Sequence, residues 1–132
     1  MTRSLRISPV TKTWSLYVVK LREDARERVL QRMRPLARSR IDRRLPCVYV
    51  GVTALTPEER YSRHREGSLT SASIVRDYGV GLLKSLYRGR NPLSATTERE
   101  ALGAEAALAE ELRDRGYAVW GEHGKALRLG HD

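Results

Sequence analysis

Two basic residues at helical spacing could bind and act on a phosphate group. Arg60 and His64 are four residues apart in a segment that predicts a helix, so both should project from one helix face, with Arg63 beside them. Arginine can stabilise negative charge on a phosphoryl group, and histidine can hydrogen-bond to phosphate or transfer a proton. Basic residues at this spacing are also common on exposed helices, and such a pair on its own is more often part of a solvated surface than of a site.

Two tyrosines could supply hydroxyl groups to the same chemistry. Tyr17 and Tyr49 each lie within a run of aliphatic residues that predicts a β-strand, where a tyrosine is ordinarily part of the core. The hydroxyl can instead hold an attacking water, or deprotonate it when the tyrosine pKa is depressed or a base is near. Gly51, on the same strand face as Tyr49, would let the backbone approach a ligand closely.

Glu105 lies inside the apolar stripe of a predicted long helix, in line with Ala101, Leu108 and Leu112. Removing a carboxylate from water is costly unless it is paired, hydrogen-bonded or bound to a metal ion. The pattern therefore fits a metal-binding or catalytic glutamate. It also fits a buried salt bridge to an arginine, or a carboxylate at the edge of the stripe that reaches water.

The charge of the chain indicates an anionic partner. Its 132 residues include 25 Lys and Arg against 16 Asp and Glu, a formal net charge of +9. Only four of the basic residues are lysines, which leaves 21 arginines, and the planar guanidinium binds phosphate oxygens in pairs. A coding bias towards arginine would account for part of this excess without any ligand.

Length and apolar patterning predict one domain, residues 1–132, that does not cross a membrane. No stretch approaches the roughly 20 apolar residues of a membrane span, and Met1 to Val10 lacks the apolar centre of a signal peptide. We therefore expect a cytoplasmic location. The single cysteine, Cys47, has no partner for a disulfide, and its apolar neighbours predict a buried strand thiol.

The elements that must position these residues predict an α/β or α+β domain. Strands are predicted at 14–21, at about 47–53 and at 82–87, with a short strand or core-docking segment at 117–120. Helices are predicted at about 24–38, at 57–66 and at 97–115, with a helical turn at 74–78 and a polar loop at 68–73. Capping boxes at Thr56 and Thr97 begin the second and third helices, and Gly67 and Gly116 end them.

The segment between the first two strands, about residues 22–46, is the most basic part of the chain. It has nine arginines and four acidic residues, a net charge of +5. Val29, Leu30, Met33 and Leu36 recur at helical spacing, so we expect an amphipathic helix with an arginine-rich outer face. That face would be either solvated or in contact with nucleic acid, and the pattern favours neither.

The order of these residues along the chain resembles the GIY-YIG nuclease family. The corresponding residues are Ser15-Leu16-Tyr17, then Tyr49-Val50-Gly51, then Arg60 and His64, and finally Glu105. The resemblance covers about residues 14–120, and its most specific part is 49–64. Ser15 and Leu16 replace the Gly and Ile of the first motif. Tyr17 and Tyr49 are 32 residues apart, so the segment at 22–46 is an insertion.

The resemblance implies a small three-stranded antiparallel sheet flanked by helices, and an endonuclease that uses Mg²⁺ or Mn²⁺ to hydrolyse phosphodiester bonds in duplex or branched DNA. It implies catalytic roles for five residues, namely Tyr17, Tyr49, Arg60, His64 and Glu105, the last of which also binds the metal ion. We also expect nucleic-acid contacts from Gly51, Arg63 and Lys20.

One family residue has no counterpart at the usual place. Members often have an asparagine near the end of the domain, whereas the only asparagine here, Asn91, precedes Glu105. The resemblance therefore requires that this contact is absent or is supplied differently, for example by Glu122 or His123.

Two other classes of protein fit the same composition. One is a catalytically inactive, basic nucleic-acid-binding module, and the other is an interaction protein whose basic helix contacts an acidic partner chain. The salt dependence of DNA binding does not separate the nuclease from the module, because both neutralise phosphates. Metal-dependent cutting does separate them.

Overall fold

A mixed four-stranded sheet forms the centre of the computed structural model, which describes residues 13–67, 72–94 and 97–120. The strands are β1 (Ser15–Leu21), β2 (Cys47–Thr53), β3 (Gly79–Leu82) and β4 (Ala118–Trp120). The α-helices are α1 (Arg26–Gln31), α2 (Pro35–Arg38), α3 (Pro57–Glu66), α4 (Ser73–Tyr78) and α5 (Glu98–Asp114). Short 3-10 turns occupy Glu23–Ala25, Lys84–Leu86 and Arg88–Arg90.

The order of the strands is β3-β1-β2-β4. Strand β1 is antiparallel to both β2 and β3, whereas β4 is parallel to β2. The mixed α/β class is confirmed, but the predicted three-stranded antiparallel sheet is wrong. Gly116, with φ +100°, ends α5 so that the chain enters the sheet alongside β2 and in its direction. The predicted strand or docking segment at 117–120 is this fourth strand.

Two other predicted elements differ from the structure. The third strand is Gly79–Leu82 rather than 82–87, because the chain leaves the sheet after Leu83 donates its N–H to the carbonyl of Val18. The single helix expected at 24–38 is divided into α1 and α2. Pro35 begins α2, and the preceding residue Arg34 is extended at ψ 149°. The proline ring disfavours a helical conformation at the residue before it.

The two capped helices are confirmed. Both capping boxes form, Thr56 with Glu59 at α3 and Thr97 with Glu100 at α5. Gly67 ends α3 in a left-handed conformation at φ +76°, as its position predicted. The helical turn expected at 74–78 is α4, and most of the polar loop expected at 68–73 lies outside the described residues.

Both faces of the sheet are buried. Neighbouring residues Val18 and Val19 leave opposite faces of β1, and each is 0% exposed. Leu108 and Leu112 of α5 belong to the same core. Cys47 is buried as predicted, and burial raises the pKa of its thiol to about 11. Among the described residues, no helix combines the length and apolar character that crossing a membrane requires.

Two glycines of the α5 region should respond in opposite ways to alanine. Gly116→Ala should lower the free energy of unfolding by about 1–3 kcal/mol, because residue 116 has positive φ and is crowded. A Cβ there would lie 3.0 Å from Cβ of Asp42. Gly103→Ala should raise it by about 0.5–1 kcal/mol, because this exposed helix position has nothing within 4 Å of the added carbon. Urea unfolding of the two variants measures both effects. Equal shifts in one direction would contradict the backbone described here.

Candidate functional site

The ring of Tyr17 lies directly over Gly51 of the neighbouring strand. The two residues are opposite each other in the β1–β2 register. A Cβ on residue 51 would be 2.5 Å from both Cζ and Oη of Tyr17, far closer than atoms can approach. Glycine is therefore needed at position 51 to accommodate the tyrosine ring. The nucleic-acid contact predicted for Gly51 stays a prediction, and the buried position of this residue gives it no direct support.

Tyr17 and His64 form a buried hydrogen-bonded pair. Oη of Tyr17 and Nε2 of His64 are 2.8 Å apart, and the two residues are 1% and 0% exposed. The other ring nitrogen, Nδ1, accepts a hydrogen bond from the backbone N–H of Ala72 at 3.1 Å. The proton of the neutral ring is therefore on Nε2, which donates to the Tyr17 oxygen. This leaves the Tyr17 hydroxyl proton free to point to another acceptor.

The imidazole of His64 is neutral at physiological pH. Burial, together with the positive charge of Arg60, lowers the pKa of His64 to about 4. Because Nε2 already carries the proton and Nδ1 is occupied by Ala72, the ring does not accept a proton from Tyr17 in this arrangement. His64 therefore orients the tyrosine and does not act as its base.

Tyr49 adds a second hydroxyl beside this pair. Its ring centroid is 6.0 Å from that of Tyr17 and 5.7 Å from that of His64. Burial raises the pKa of Tyr17, although the charge of Arg60 and hydrogen bonding with Tyr49 oppose the shift. Burial raises the pKa of Tyr49 well above its ordinary value, and the neighbouring Tyr17 and Glu105 add to this. Both hydroxyls are therefore protonated at neutral pH, so a depressed pKa does not activate either one here.

Arg60 and Glu105 bring opposite charges to the same place. Arg60 lies one turn before His64 in α3, and its charge acts on both tyrosines and on the imidazole. Glu105 of α5 acts on both tyrosines. Both charged residues are partly exposed. The five residues predicted to be catalytic thus come together from β1, β2, α3 and α5, and they are called the tyrosine cluster below.

Strand alternation separates Lys20 from the tyrosine cluster. In the regular β1–β2 register Tyr17 shares a sheet face with Val19, whereas Lys20 projects from the opposite face beside Val48. The nucleic-acid contact predicted for Lys20 stays a prediction, and it would be made from the face of the sheet opposite to Tyr17. Arg63 is exposed on α3 directly before His64, and its predicted contact with nucleic acid stays a prediction.

Asn91 supports Tyr17 through a contact that the sequence did not reveal. Its carboxamide makes two hydrogen bonds to the backbone of Leu16, accepting from the N–H and donating to the carbonyl, each at 2.8 Å. The side chain thus acts as a strand partner for the residue before Tyr17. The two residues are 75 positions apart, so no local pattern could reveal this pairing. Glu122 and His123, the other residues considered for the asparagine contact, lie outside the described residues.

The oxygen atoms of the cluster suit a hard divalent cation. Magnesium commonly binds one or two carboxylates and takes its remaining ligands from water and substrate phosphate. Glu105 is a carboxylate of this kind, whereas both nitrogens of His64 are already engaged and the two tyrosine hydroxyls are protonated. No group of three or more His, Cys, Asp or Glu that could hold a metal ion occurs within 13–67, 72–94 and 97–120. Glu105 is thus the residue of the cluster that could hold such a cation, together with water and substrate phosphate.

Comparisons of this chain with protein-family models, curated proteins and solved structures gave no match. The class of site is therefore defined by its geometry. It is a buried phenol–imidazole pair with a second tyrosine, flanked by one arginine and one carboxylate, on a mixed α/β domain.

His64 should make the stability of the fold depend on pH. Its pKa of about 4 lies below the ordinary value of 6.5, so protonation favours the unfolded chain. Its contribution is complete above pH 6.5 and is lost as the pH falls towards 4. Linkage gives a loss of about 2 kcal/mol in the free energy of unfolding between pH 7.5 and pH 5.

Urea unfolding of wild type and His64→Gln at these two pH values isolates this contribution. Carboxylates titrate in both proteins, so the difference between the two losses belongs to the imidazole. A His64→Gln variant that loses stability as steeply as wild type would show that His64 is not buried in its neutral form.

Proposed function

We propose that this protein is a divalent-metal-dependent endonuclease that hydrolyses phosphodiester bonds in DNA. The convergence of the five residues of the tyrosine cluster from four separate elements supports this proposal. Hydroxyls that hold water, a guanidinium that stabilises charge and a carboxylate that binds a cation are groups that phosphodiester hydrolysis requires. The net charge of +9 favours a polyanionic substrate.

Arg60 binds the scissile phosphate in this proposal. It is partly exposed, so a phosphate can reach it, and it lies beside the two tyrosine hydroxyls. Its charge stabilises the additional negative charge of the pentacovalent phosphorus. Loss of one such donor typically lowers the rate on the order of 100- to 1000-fold.

Tyr17 and Tyr49 position the attacking water. Because His64 donates to the Tyr17 oxygen, the Tyr17 hydroxyl proton is directed to another acceptor, either the water or a phosphate oxygen. Both hydroxyls are protonated at neutral pH, so they hold the water by hydrogen bonds and do not take its proton, which passes to bulk solvent. Glu105 is the residue that would hold Mg²⁺ or Mn²⁺, and the bound cation would supply positive charge to stabilise the leaving oxygen.

A catalytically inactive, basic nucleic-acid-binding module is the second candidate. The net charge of +9 supports it as well as it supports the nuclease. A binding module has no need of a carboxylate beside the two tyrosines. Glu105 nevertheless lies close enough to Tyr49 to raise its pKa. For this reason the geometry favours the nuclease.

Glu105→Gln and Glu105→Ala should abolish metal-dependent cutting of supercoiled plasmid and leave DNA binding largely intact. Each variant removes the carboxylate that would hold the cation, and the expected loss of rate is at least on the order of 100-fold. Nicked and linear products are scored on a gel with Mg²⁺, with Mn²⁺ and with EDTA.

Glu110→Gln provides a matched control on the same helix. Glu110 is exposed and bonded to Arg113, so this variant should cut as wild type does. A Glu105→Gln protein that cuts normally would refute the metal-binding role of Glu105. Wild-type protein that retards DNA but cuts none of it with either metal would favour the binding module.

A further inference from the structure

The insertion between β1 and β2, residues 22–46, is called the basic segment here, and it approaches the tyrosine cluster through Trp120. Its helix α1 packs against the edge strand β4. Trp120 of β4 is opposite Tyr49 in the parallel β2–β4 register. The guanidinium of Arg32 lies over the Trp120 ring, 4.4 Å from its centroid. Trp120 therefore connects the arginines of the basic segment to Tyr49.

Polar contacts hold the basic segment in place. Arg26 is 5% exposed, pairs with Glu23 and donates to the carbonyl of Leu45 at 2.7 Å. Near the end of the segment, Arg40 pairs with Asp114 at 3.0 Å, and the N–H of residue 42 donates to the carbonyl of residue 116 at 2.9 Å. A surface fixed in this way needs little ordering when it binds a ligand.

The remaining arginines of the basic segment are exposed and outside any ion pair, although the charge of Arg43 acts on Glu23 and that of Arg28 acts on Asp77. Arg28, Arg32, Arg34, Arg38 and Arg43 form no ion pair with an acidic residue in the described part of the chain, whereas Arg22, Arg26, Arg40 and Arg44 each do. Like charges held close together repel one another, and a polyanion relieves that repulsion. The segment thus uses some arginines to keep its shape and presents the others to solvent.

The aromatic rings near this surface favour a phosphate backbone over stacked bases. Trp120 stacks on Arg32, and Tyr78 lies near two guanidiniums, those of Arg22 at 4.9 Å and Arg28 at 5.9 Å. Proteins that bind single strands use aromatic rings on which bases stack. Here the rings are occupied by arginines, and what the surface presents is positive charge. Such a surface suits the high charge density of duplex DNA.

We propose that the basic segment docks the sugar–phosphate backbone of duplex DNA next to the phosphate that the tyrosine cluster cleaves. The choice of DNA rests on the proposed nuclease function, whereas the docking surface itself does not depend on catalysis. Arg34, Arg38 and Arg43 make the phosphate contacts that are tested most directly, because among the described residues none of them forms an ion pair or lies over an aromatic ring. This surface gives the insertion a role in holding substrate.

The test compares two triple variants that each remove three positive charges. The first carries Arg34→Gln, Arg38→Gln and Arg43→Gln. The matched control carries Arg76→Gln, Arg88→Gln and Arg99→Gln, three exposed arginines outside the basic segment. Binding of a fluorescent 20-base-pair duplex is measured by anisotropy in EDTA, which prevents cutting, over a series of NaCl concentrations. Thermal melting of each protein confirms that it is folded.

The segment variant should bind the duplex at least about tenfold more weakly than wild type at 0.1 M salt. The slope of log affinity against log salt should fall by about 2–3, since each phosphate contact contributes about 0.9. The control variant should change both quantities much less. Equal losses in the two variants, or no loss in either, would overturn the proposal, because net charge alone would then explain binding.

Two further arms separate the linked claims. A single-stranded oligonucleotide of the same length should be bound more weakly than the duplex and should lose less affinity in the segment variant, and an equal loss would overturn the assignment to duplex. Wild-type protein that shows the expected binding pattern but never cuts plasmid would leave the docking surface standing and remove the nuclease function. Wild-type protein that cuts plasmid, together with a segment variant that binds the duplex normally, would support the nuclease function and overturn the docking surface.

Discussion

The phenol ring of Tyr17 occupies the space that a side chain at position 51 would need, and its hydroxyl is bonded to His64, 47 residues away in sequence. A shift of one residue between β1 and β2 would place the ring against a residue with a Cβ and reverse the faces of the strand. The register is therefore tied to the hydrogen bond. This register places Tyr49 opposite Val19, and the hydrogen bond to His64 positions α3 together with Arg60.

Local signals in the sequence were enough to place the elements that hold most of the cluster. The bounds of β2 match the prediction, and α3 and α5 begin and end where capping boxes and glycines indicate, because these signals act within a few residues. The apolar spacing continues through Pro35, so it predicts one helix where the structure has α1 and α2. The parallel strand β4, the displacement of β3 and the bonds of Asn91 and Ala72 depend on tertiary contacts.

The sequence predicts which residues form the cluster, but it does not predict their protonation states. The order of the motifs predicts the five residues of the cluster. Their burial, which the structure reveals, keeps His64 neutral and raises the pKa of each tyrosine. The hydrogen-bonded centre of the cluster is thus uncharged, with Arg60 and Glu105 as charges of opposite sign beside it. Lys20 projects from the face of β1 opposite to that of Tyr17, as strand alternation requires.

Cys47 is the single cysteine, and it lies in β2 opposite Leu21 on one side and Ala118 on the other. Its thiol is fully buried, and its raised pKa of about 11 keeps it protonated. A maleimide can therefore reach this sulfur only when the centre of the sheet opens, so the rate of its modification reports that opening. For the same reason, a cysteine introduced on the surface can be labelled selectively with a dye while the domain stays folded.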